Sequence, residues 1–393
     1  ARAARRGAHQ PPADYRGTPG SGKLAKFSAL DLGAHATKHA LERSGVAPEQ
    51  VDHTVFGNVL YTSPDALYGA RQIMLKAGIP IEKPALTVNR LCGSGVQSVI
   101  SACHLIMAGE ASTTVAGGTE SMSQSPHILW NARAGYRFGQ TWELQDQLMG
   151  SLQDPMCGLF MAQTAEKLGK RYEISREAQD EFALRSHQLG AEAVKNGTFA
   201  AEIAPVDIVK RDKVVGTVDT DDHIKPDTTL EGLSKLRAAF GKDGTVTAGN
   251  ASGIVDGAAA IVVTTAEAAA ANGWKPRAKI RSWSTVGVEP SEMGIGPAPS
   301  IRQACERAGV DQNDIDLFEI NEAFSAQYLA VERELELDRD KVNVNGGAIA
   351  LGHPLGCSGT RLVVTLLGRL ERAGARLGLA TMCVGVGQGS ALL

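Results

Sequence analysis

The sequence lacks paired cysteines, long apolar runs and an excess of one charge. Its six cysteines are scattered, which predicts neither a metal-ligand set nor a disulfide framework and favours reduced thiols in a cytosol-like compartment. No apolar run is long enough to span a bilayer, and a net charge of −3 gives no basis for nucleic acid binding. With 393 residues, 43% of them hydrophobic, the chain can form two or three domains.

The N-terminal segment, residues 1–27, carries six basic residues against a single acid, Asp14. An Arg-rich, acid-poor segment is typical of a transit peptide, and a disordered arm explains it equally well. The expected location is therefore the cytoplasm, or the mitochondrial matrix in a eukaryote. Residues 17–23 (GTPGSGK) mimic a phosphate loop, but Leu24 stands where a Mg²⁺-binding hydroxyl is needed and no strand precedes, so we reject a nucleotide site.

Helical and strand patterns alternate from Ser28 onward, which predicts a layered α/β protein. Residues 120–249 interrupt the alternation with a polar, charge-mixed composition, and such long insertions are commonly substrate-binding lids. Residues 250–393 resume it. We therefore expect three units: residues 1–119 with 250–272, an inserted unit of residues 120–249, and residues 273–393.

An internal repeat links the two ends of the chain. Residues 42–46 (ERSGV) match residues 306–310 (ERAGV), and Ser94-Gly95 matches Ser358-Gly359 at the same offset of 264 residues. Several matches at one offset indicate two copies of one α/β unit. Packed about a pseudo-twofold axis, the copies would bring the turn at Cys92 close to the glycine-rich turns of the second copy.

Cys92 lies where a short β-branched strand ends and an apolar helix, residues 96–107, begins. Gly93 and Gly95 allow the tight turn that such a junction needs. The unpaired N–H groups and the dipole of the helix N-terminus favour a thiolate, which is the nucleophilic form. The alternative is a buried structural cysteine.

Three polar motifs lie on turns of the second copy: residues 321–324 (NEAF), 345–356 (NGGAIALGHPLG) and 383–389 (CVGVGQG). Two thiols and one imidazole suit a two-step acyl transfer, in which His353 removes a proton from Cys92 and Cys92 attacks a thioester. A lone His is more often a satisfied structural residue. Cys383 is the candidate acid/base at the carbon α to the thioester. Backbone N–H groups at Cys92 and Gly385 would stabilise one oxyanion, and His353 with Asn321 through water the other.

Six motifs in order resemble the thiolase family (acetyl-CoA C-acyltransferases). They are NRLCGSG at 89–95, GGTESM at 117–122, TAGNASG at 247–253, NEAF at 321–324, GHP at 352–354 and CVG at 383–385. The resemblance covers roughly residues 24–393. It implies a five-layered α-β-α-β-α fold of two similar halves with an inserted loop domain, and a homodimer or homotetramer. It also implies coenzyme A and acyl-CoA as substrates in fatty acid β-oxidation, with no metal and no permanently bound cofactor.

The resemblance also implies site residues. Cys92 would be acylated, His353 would activate it, Cys383 would be the acid/base, and Asn321 and Gly385 would complete the oxyanion sites. Ser252 would hold the pantetheine arm. Lys225 and Thr228 fall at the CoA nucleotide, although the family usually has Arg in place of Lys225. Met161 and Met293 would line the acyl pocket, with core filling as the alternative for each, and Phe324 would contact the substrate or CoA.

Two positions depart from the family pattern. The family begins with an apolar strand, taken here as central in the first half, and residues 1–23 show none. Phe160 stands where some short-chain biosynthetic members have His, so an acetoacetyl-CoA thiolase remains an alternative. A decarboxylating ketoacyl synthase would need a second His where Asn321 stands. A catalytically silent acyl-CoA-binding or scaffold protein is the alternative outside enzymes.

Overall fold

The computed structural model of the chain describes residues 22–241 and 243–393. The transit-peptide and disordered-arm hypotheses fall mainly on residues 1–21, outside this part, as does most of the loop at 17–23. In chain order the strands are β1 (His53–Gly57), β2 (Ala85–Val88), β3 (Thr113–Ser121), β4 (His127–Leu129), β5 (Leu144–Asp146), β6 (Val206–Lys210), β7 (Lys213–Val218), β8 (Asp256–Thr264), β9 (Trp283–Gly287), β10 (Leu317–Ile320), β11 (Gly378–Val384) and β12 (Gln388–Leu392).

The helices surround and separate the sheets. In chain order they are α1 (Ala29–Ser44), α2 (Gly69–Lys76), α3 (Ser94–Met107), α4 (Gln147–Ser151), α5 (Met161–Arg171), α6 (Arg176–Lys195), α7 (Leu230–Ser234), α8 (Ala266–Asn272), α9 (Pro297–Ala308), α10 (Ser325–Leu335), α11 (Ala348–Leu351) and α12 (Leu355–Ala373). The helix and strand flanking Cys92 and the helix capped by Ser175 lie where the sequence predicted them.

Two mixed sheets form the frame, one from each half of the chain. The first has the order β2-β1-β3-β8 and the second the order β10-β11-β12-β9. In each, parallel strands lead to an antiparallel one, β8 beside β3 and β12 beside β11. The shared pattern confirms the duplication that the 264-residue offset indicated.

Equivalent residues end equivalent helices. Ser28 caps α1 by accepting a hydrogen bond from the Asp31 N–H, and Gly45 stops the helix with φ 70°. Gly309, 264 residues later, stops α9 with φ 64°. A residue with a Cβ disfavours this left-handed conformation, so the glycine of each repeat motif defines where its helix ends.

The halves meet where α3 crosses α12, at the two glycines of the repeat. A Cβ added at Gly95 would lie 2.4 Å from the Thr360 nitrogen, and one at Gly359 would lie 2.3 Å from the Val96 nitrogen. The Thr360 hydroxyl also donates to the Gly95 carbonyl at 3.1 Å. Only glycine permits this approach of two helix backbones, which forms the central layer of the fold.

The two sheets differ at the edge beside β8. β12 pairs with both β11 and β9, whereas β8, its counterpart, pairs within the described residues only with β3. The expected initial strand falls on residues 1–23, almost all of them outside the described part, so its central position stays a prediction; in the second sheet the strand beside β12 is the edge strand β9. A groove of about 1310 Å³ runs along β8, and its lining includes neither Cys92, His353 nor Cys383.

The inserted segment connects the paired strands β3 and β8, and it packs on the second half. α5 contacts α10, and α6 contacts both α10 and α11. The rings of Phe182 on α6 and Tyr328 on α10 stack with centroids 4.2 Å apart. Between residues 22 and 393, Lys242 excepted, no helix is both long and apolar enough to cross a membrane. The unit boundaries at 119, 250 and 273 stay a prediction.

Candidate active site

The turn that presents Cys92 is held by hydrogen bonds from both halves. Leu91 has φ 47°, an uncommon conformation for a residue with a side chain, and its N–H donates to the Asn89 side chain at 2.9 Å. The Ser94 hydroxyl accepts from the Arg90 N–H and donates to the Leu91 carbonyl. Arg90 reaches Gln388 of the second half at 3.0 Å. These side-chain hydrogen bonds thus stabilise an uncommon backbone conformation at Leu91 that the strand–helix junction alone would not stabilise.

The Cys92 thiol is half-buried, and the direction of its pKa shift contradicts the sequence-based expectation of a thiolate. Burial raises the pKa of Cys92 to about 11, and the nearby negative charge of Glu120 acts in the same direction. A backbone hydrogen bond from Gly385 lowers the pKa but does not compensate for desolvation. Cys92 is therefore a thiol at neutral pH, and its reaction as a nucleophile requires a base.

His353 is a buried base with a defined tautomer. The Ser358 hydroxyl donates to the Pro354 carbonyl at 3.0 Å, so its oxygen accepts the 2.6 Å hydrogen bond from Nδ1–H of His353. This leaves Nε2 unprotonated. Burial, helped by the positive charge of Arg361, lowers the pKa of His353 to about 3. The imidazole is thus neutral at pH 7, as a proton acceptor must be.

Asn321 follows β10 and faces the same imidazole. Its Nδ2 lies 3.4 Å from Nε2 of His353, and its backbone N–H donates to the Thr381 carbonyl at 3.0 Å. The side chain is fully buried, yet its Oδ1 has no partner among the described residues. An unpartnered buried oxygen beside an imidazole suits a site that binds a water molecule or a polar substrate group.

The second thiol, Cys383, lies on β11 in an apolar cluster. The cluster contains Met161 and Met293, the two residues predicted to line the acyl pocket, and Phe324, predicted to contact the substrate or CoA. Burial raises the pKa of Cys383 well above its ordinary value, and a charge on Cys92 raises it further, which places the two sulfurs near each other. Gly385 borders the cluster, since a Cβ there would lie 3.5 Å from the Met161 sulfur.

The residues predicted to bind the pantetheine and nucleotide parts of CoA lie on two segments, one with Ser252 and the other with Lys225 and Thr228. The Ser252 N–H donates to the Ala323 carbonyl at 3.0 Å, directly beside Phe324. Lys225 is exposed and shares a turn with Thr228, whose hydroxyl donates to the Lys225 carbonyl at 2.7 Å. The structure therefore brings Ser252 to the buried site and leaves Lys225 and Thr228 nearer the surface.

Sequence reasoning missed two residues of the site, Ser358 and Glu120. In the sequence Ser358 stands out only as part of the repeat, although a serine in the first turn of the helix after His353 can reach its imidazole. Glu120 was noted only within a motif, although an acid near the end of a wholly buried strand is itself a signal. Its carboxylate accepts hydrogen bonds from both halves, as described below.

The described residues contain no group of three or more His, Cys, Asp or Glu side chains that could hold a metal ion. The Cys92 thiol accepts a backbone hydrogen bond from Gly385, lies near the Cys383 thiol, and packs against a cluster that includes Leu355, two residues after the neutral imidazole of His353. This fold and this site define a thiol-dependent acyl-transferring enzyme.

Comparison with known proteins gives the family. The model of the thiolase N-terminal domain matches residues 15–267, and that of the thiolase C-terminal domain matches residues 274–393. The chain belongs to the thiolase family and is an acyltransferase.

Similar proteins span nearly the whole chain. The mitochondrial 3-ketoacyl-CoA thiolase of Homo sapiens is 49% identical, covering 95% of this chain and 94% of that protein. An acetyl-CoA acetyltransferase of Chromobacterium violaceum is also 49% identical, covering 94% of each. The crystal structure of human mitochondrial 3-ketoacyl-CoA thiolase in complex with CoA superimposes with a TM-score of 0.91 at 48% identity, covering 94% of this chain and 92% of that one. The five-layered two-half fold is confirmed.

Proposed function

We propose that this enzyme cleaves 3-ketoacyl-CoA with CoA into acetyl-CoA and a shortened acyl-CoA, and catalyses the reverse condensation, through an acyl thioester on Cys92. The observation that carries the proposal is the neutral imidazole of His353, whose Nε2 is free to accept a proton, two residues before Leu355 in the cluster against which Cys92 packs. The similar proteins named as 3-ketoacyl-CoA thiolase and acetyl-CoA acetyltransferase support it.

In the first step Nε2 of His353 takes the Cys92 proton, and the sulfur attacks the 3-keto carbonyl carbon. Backbone N–H groups of Cys92 and Gly385 donate to the oxyanion that forms there. The C2–C3 bond then breaks, its electrons form the acetyl-CoA enolate, and the Cys383 thiol protonates C2. The imidazolium N–H, with Asn321 through water, stabilises the enolate oxygen.

In the second step free CoA replaces acetyl-CoA. The Cys383 thiolate left by the first step takes the proton of the CoA thiol, and the CoA sulfur attacks the acyl group on Cys92. Collapse of the tetrahedral intermediate expels the Cys92 sulfur, which recovers its proton from His353. The acyl-CoA leaves, and the enzyme returns to its starting protonation state.

The outer residues fit the bound CoA, which is a substrate in this proposal with no permanently bound cofactor. We propose Ser252 for the pantetheine arm, Lys225 and Thr228 for the nucleotide, and Met161, Met293 and Phe324 for the acyl chain. We place Phe160 at the side of the same acyl pocket, where its ring lies 5.3 Å from that of Phe240. We also propose that the enzyme is a homodimer or homotetramer, which sedimentation analysis tests. We place it in a reducing compartment, which cell fractionation tests.

Partial reactions test the roles of the two thiols. After exposure to acetyl-CoA, mass spectrometry should find an acetyl group on Cys92, and Cys92→Ala should abolish it. Cys383→Ala should keep near-normal acetylation but lose acetoacetyl-CoA cleavage, followed by loss of enolate absorbance. Cys103→Ala, a buried cysteine on α3 outside the site, should retain both. Equal loss of both reactions in Cys383→Ala would contradict the division of roles.

The alternatives are not favoured. A silent acyl-CoA-binding protein would not need the base, the nucleophile and the second thiol to be retained together. A purely short-chain biosynthetic enzyme would cleave acetoacetyl-CoA and reject longer substrates, so a 3-ketoacyl-CoA length series separates it from the main proposal.

A further inference from the structure

Glu120, near the end of β3, carries a fully buried carboxylate with four donors. Oε1 accepts from the Asn58 side chain at 2.9 Å and from the Leu60 N–H at 3.0 Å. Oε2 accepts from the Val59 N–H at 3.1 Å and from the Gly356 N–H at 2.9 Å. Four fixed donors match the four lone-pair sites of an ionised carboxylate; they lower the pKa of Glu120, whereas burial raises it by more, to about 7.

These donors belong to different halves of the protein. Residues 58–60 follow β1 in the first half, whereas Gly356 lies in the first turn of α12 in the second. The Gly356 N–H is one of the helix-terminal donors that have no partner within their own helix, so the carboxylate satisfies it. Glu120 thus clamps the start of α12, three residues after His353, onto the first half.

Gly356 is the equivalent of Cys92 in the second copy of the repeat, because it lies 264 residues after Cys92. A Cβ at Gly356 would lie 2.5 Å from the Thr119 carbonyl oxygen and 2.9 Å from the Gly57 oxygen. The turn at residues 353–356 therefore packs against the first half instead of facing a substrate. The Gly356 N–H, which has no partner within its own helix, binds the Glu120 carboxylate.

We propose that Glu120 is a positioning residue, whose carboxylate fixes the turn at residues 353–356 and thereby sets Nε2 of His353 relative to the Cys92 sulfur. The inference rests on the function proposed above. The other end of this turn is held by the hydrogen bond from the His353 N–H to the Gly253 carbonyl at 3.0 Å. Releasing the Gly356 end lets the imidazole shift, while the CoA-binding residues, on other segments, keep their places.

Glu120→Gln separates this role from a direct electrostatic one. A Gln side chain has nearly the same shape, but its NH₂ group would face two N–H donors and repel them. If the charge of Glu120 acted mainly on Cys92, its loss would favour the thiolate and speed the reaction. If Glu120 acts by positioning, its loss slows the reaction. The two roles therefore predict changes of opposite sign.

The test measures kcat and KM for acetoacetyl-CoA cleavage together with thermal unfolding. For Glu120→Gln we expect kcat to fall about 10- to 100-fold, the scale of a misplaced catalytic group, with KM changed less than about twofold. Asn58→Ala removes one of the four donors and should lower kcat about 3- to 10-fold. Glu202→Gln is the control, because its carboxylate also holds α12, at Thr365 and Arg372, away from His353. It should keep the wild-type kcat.

Several outcomes would overturn the inference: an unchanged or higher kcat in Glu120→Gln, a KM that rises in proportion, or an equal loss in Glu202→Gln. If Glu120→Gln fails to fold, Asn58→Ala decides, and an unchanged kcat there refutes positioning. Wild-type protein is assayed first. Wild-type protein inactive on acetoacetyl-CoA and on longer 3-ketoacyl-CoA would refute the proposed function, a failure distinct from any change among the variants.

Discussion

Replacing Ser358 with Ala should slow the reaction without weakening CoA binding. In the wild type the serine oxygen accepts the Nδ1–H of His353 at 2.6 Å and is held there by its own bond to the Pro354 carbonyl. Alanine removes the acceptor, so the buried Nδ1–H loses its partner. The tautomer with a free Nε2 is then no longer selected, and the ring is free to rotate.

The magnitude follows from the charge that develops on the ring. A hydrogen bond between neutral groups contributes about 1 kcal/mol, and one to a charged group about 1.5–3 kcal/mol. The imidazole of His353 is neutral in the free enzyme and becomes an imidazolium when it takes the Cys92 proton. In the wild type its hydrogen bond to Ser358 therefore strengthens during proton transfer, and Ser358→Ala lacks this gain. Because the weaker bond to the neutral imidazole is lost from the ground state as well, only the difference counts: we expect a net loss of about 0.5–2 kcal/mol of transition-state stabilisation, or roughly a 2- to 30-fold fall in kcat.

The assay is steady-state acetoacetyl-CoA cleavage with a matched serine as control. Ser300 on α9 is also buried and donates to the carbonyl four residues before it, but it forms no hydrogen bond with a histidine of the described residues. Ser300→Ala should keep kcat within about twofold, whereas Ser358→Ala should lose most of it at an unchanged KM. The reasoning is refuted if Ser358→Ala retains more than half of the wild-type kcat, or if both variants fall equally.

Three further outcomes are expected. Burial raises the pKa of Glu319 from 4.5 to about 8, so the native state keeps a proton that the unfolded state loses. The free energy of unfolding should therefore fall as the pH rises through this range. Urea unfolding at a series of pH values should show a weaker pH dependence for Glu319→Gln than for the wild type. Lys225→Ala should raise KM for CoA about two- to fivefold at constant kcat, as expected for one exposed charge, and Lys225→Arg should not; a CoA titration checks both. Gly95→Ala should cost about 3 kcal/mol or more of unfolding free energy, whereas Gly216→Ala, with nothing within 4 Å of the new Cβ, should cost less than about 1 kcal/mol; similar losses would contradict this.

The sequence predicted the Cys92 turn well because its signals are local. Two glycines, a β-branched run before them and an apolar run after them specify a strand, a turn and a helix over adjacent residues, and α3 begins within two residues of the predicted start. The pKa of Cys92 was predicted in the wrong direction. The helix dipole is local too, but the opposing desolvation depends on how deeply the second half covers the thiol, and the sequence near Cys92 does not contain that information.

Contacts between distant segments were the least predictable. The repeat indicated that the turns of the two copies meet, and Gly95 and Gly359 do meet across α3 and α12. It did not indicate that Gly356 would donate to Glu120, because such a pair depends on the register of two segments 236 residues apart. The order of strands in a sheet is hard to predict for a similar reason: it follows from long-range pairing and not from the pattern of any one strand.

The crossing of α3 and α12 also limits how the molecule can move. With backbone atoms already in contact at two glycines, neither helix can slide along the other without a collision, so a shear motion between the halves is excluded. The base and the nucleophile, which lie just before these two helices, therefore share one rigid platform. Any gating of substrate entry must come from the inserted segment and the outer loops, and amide hydrogen exchange should be slowest at this crossing.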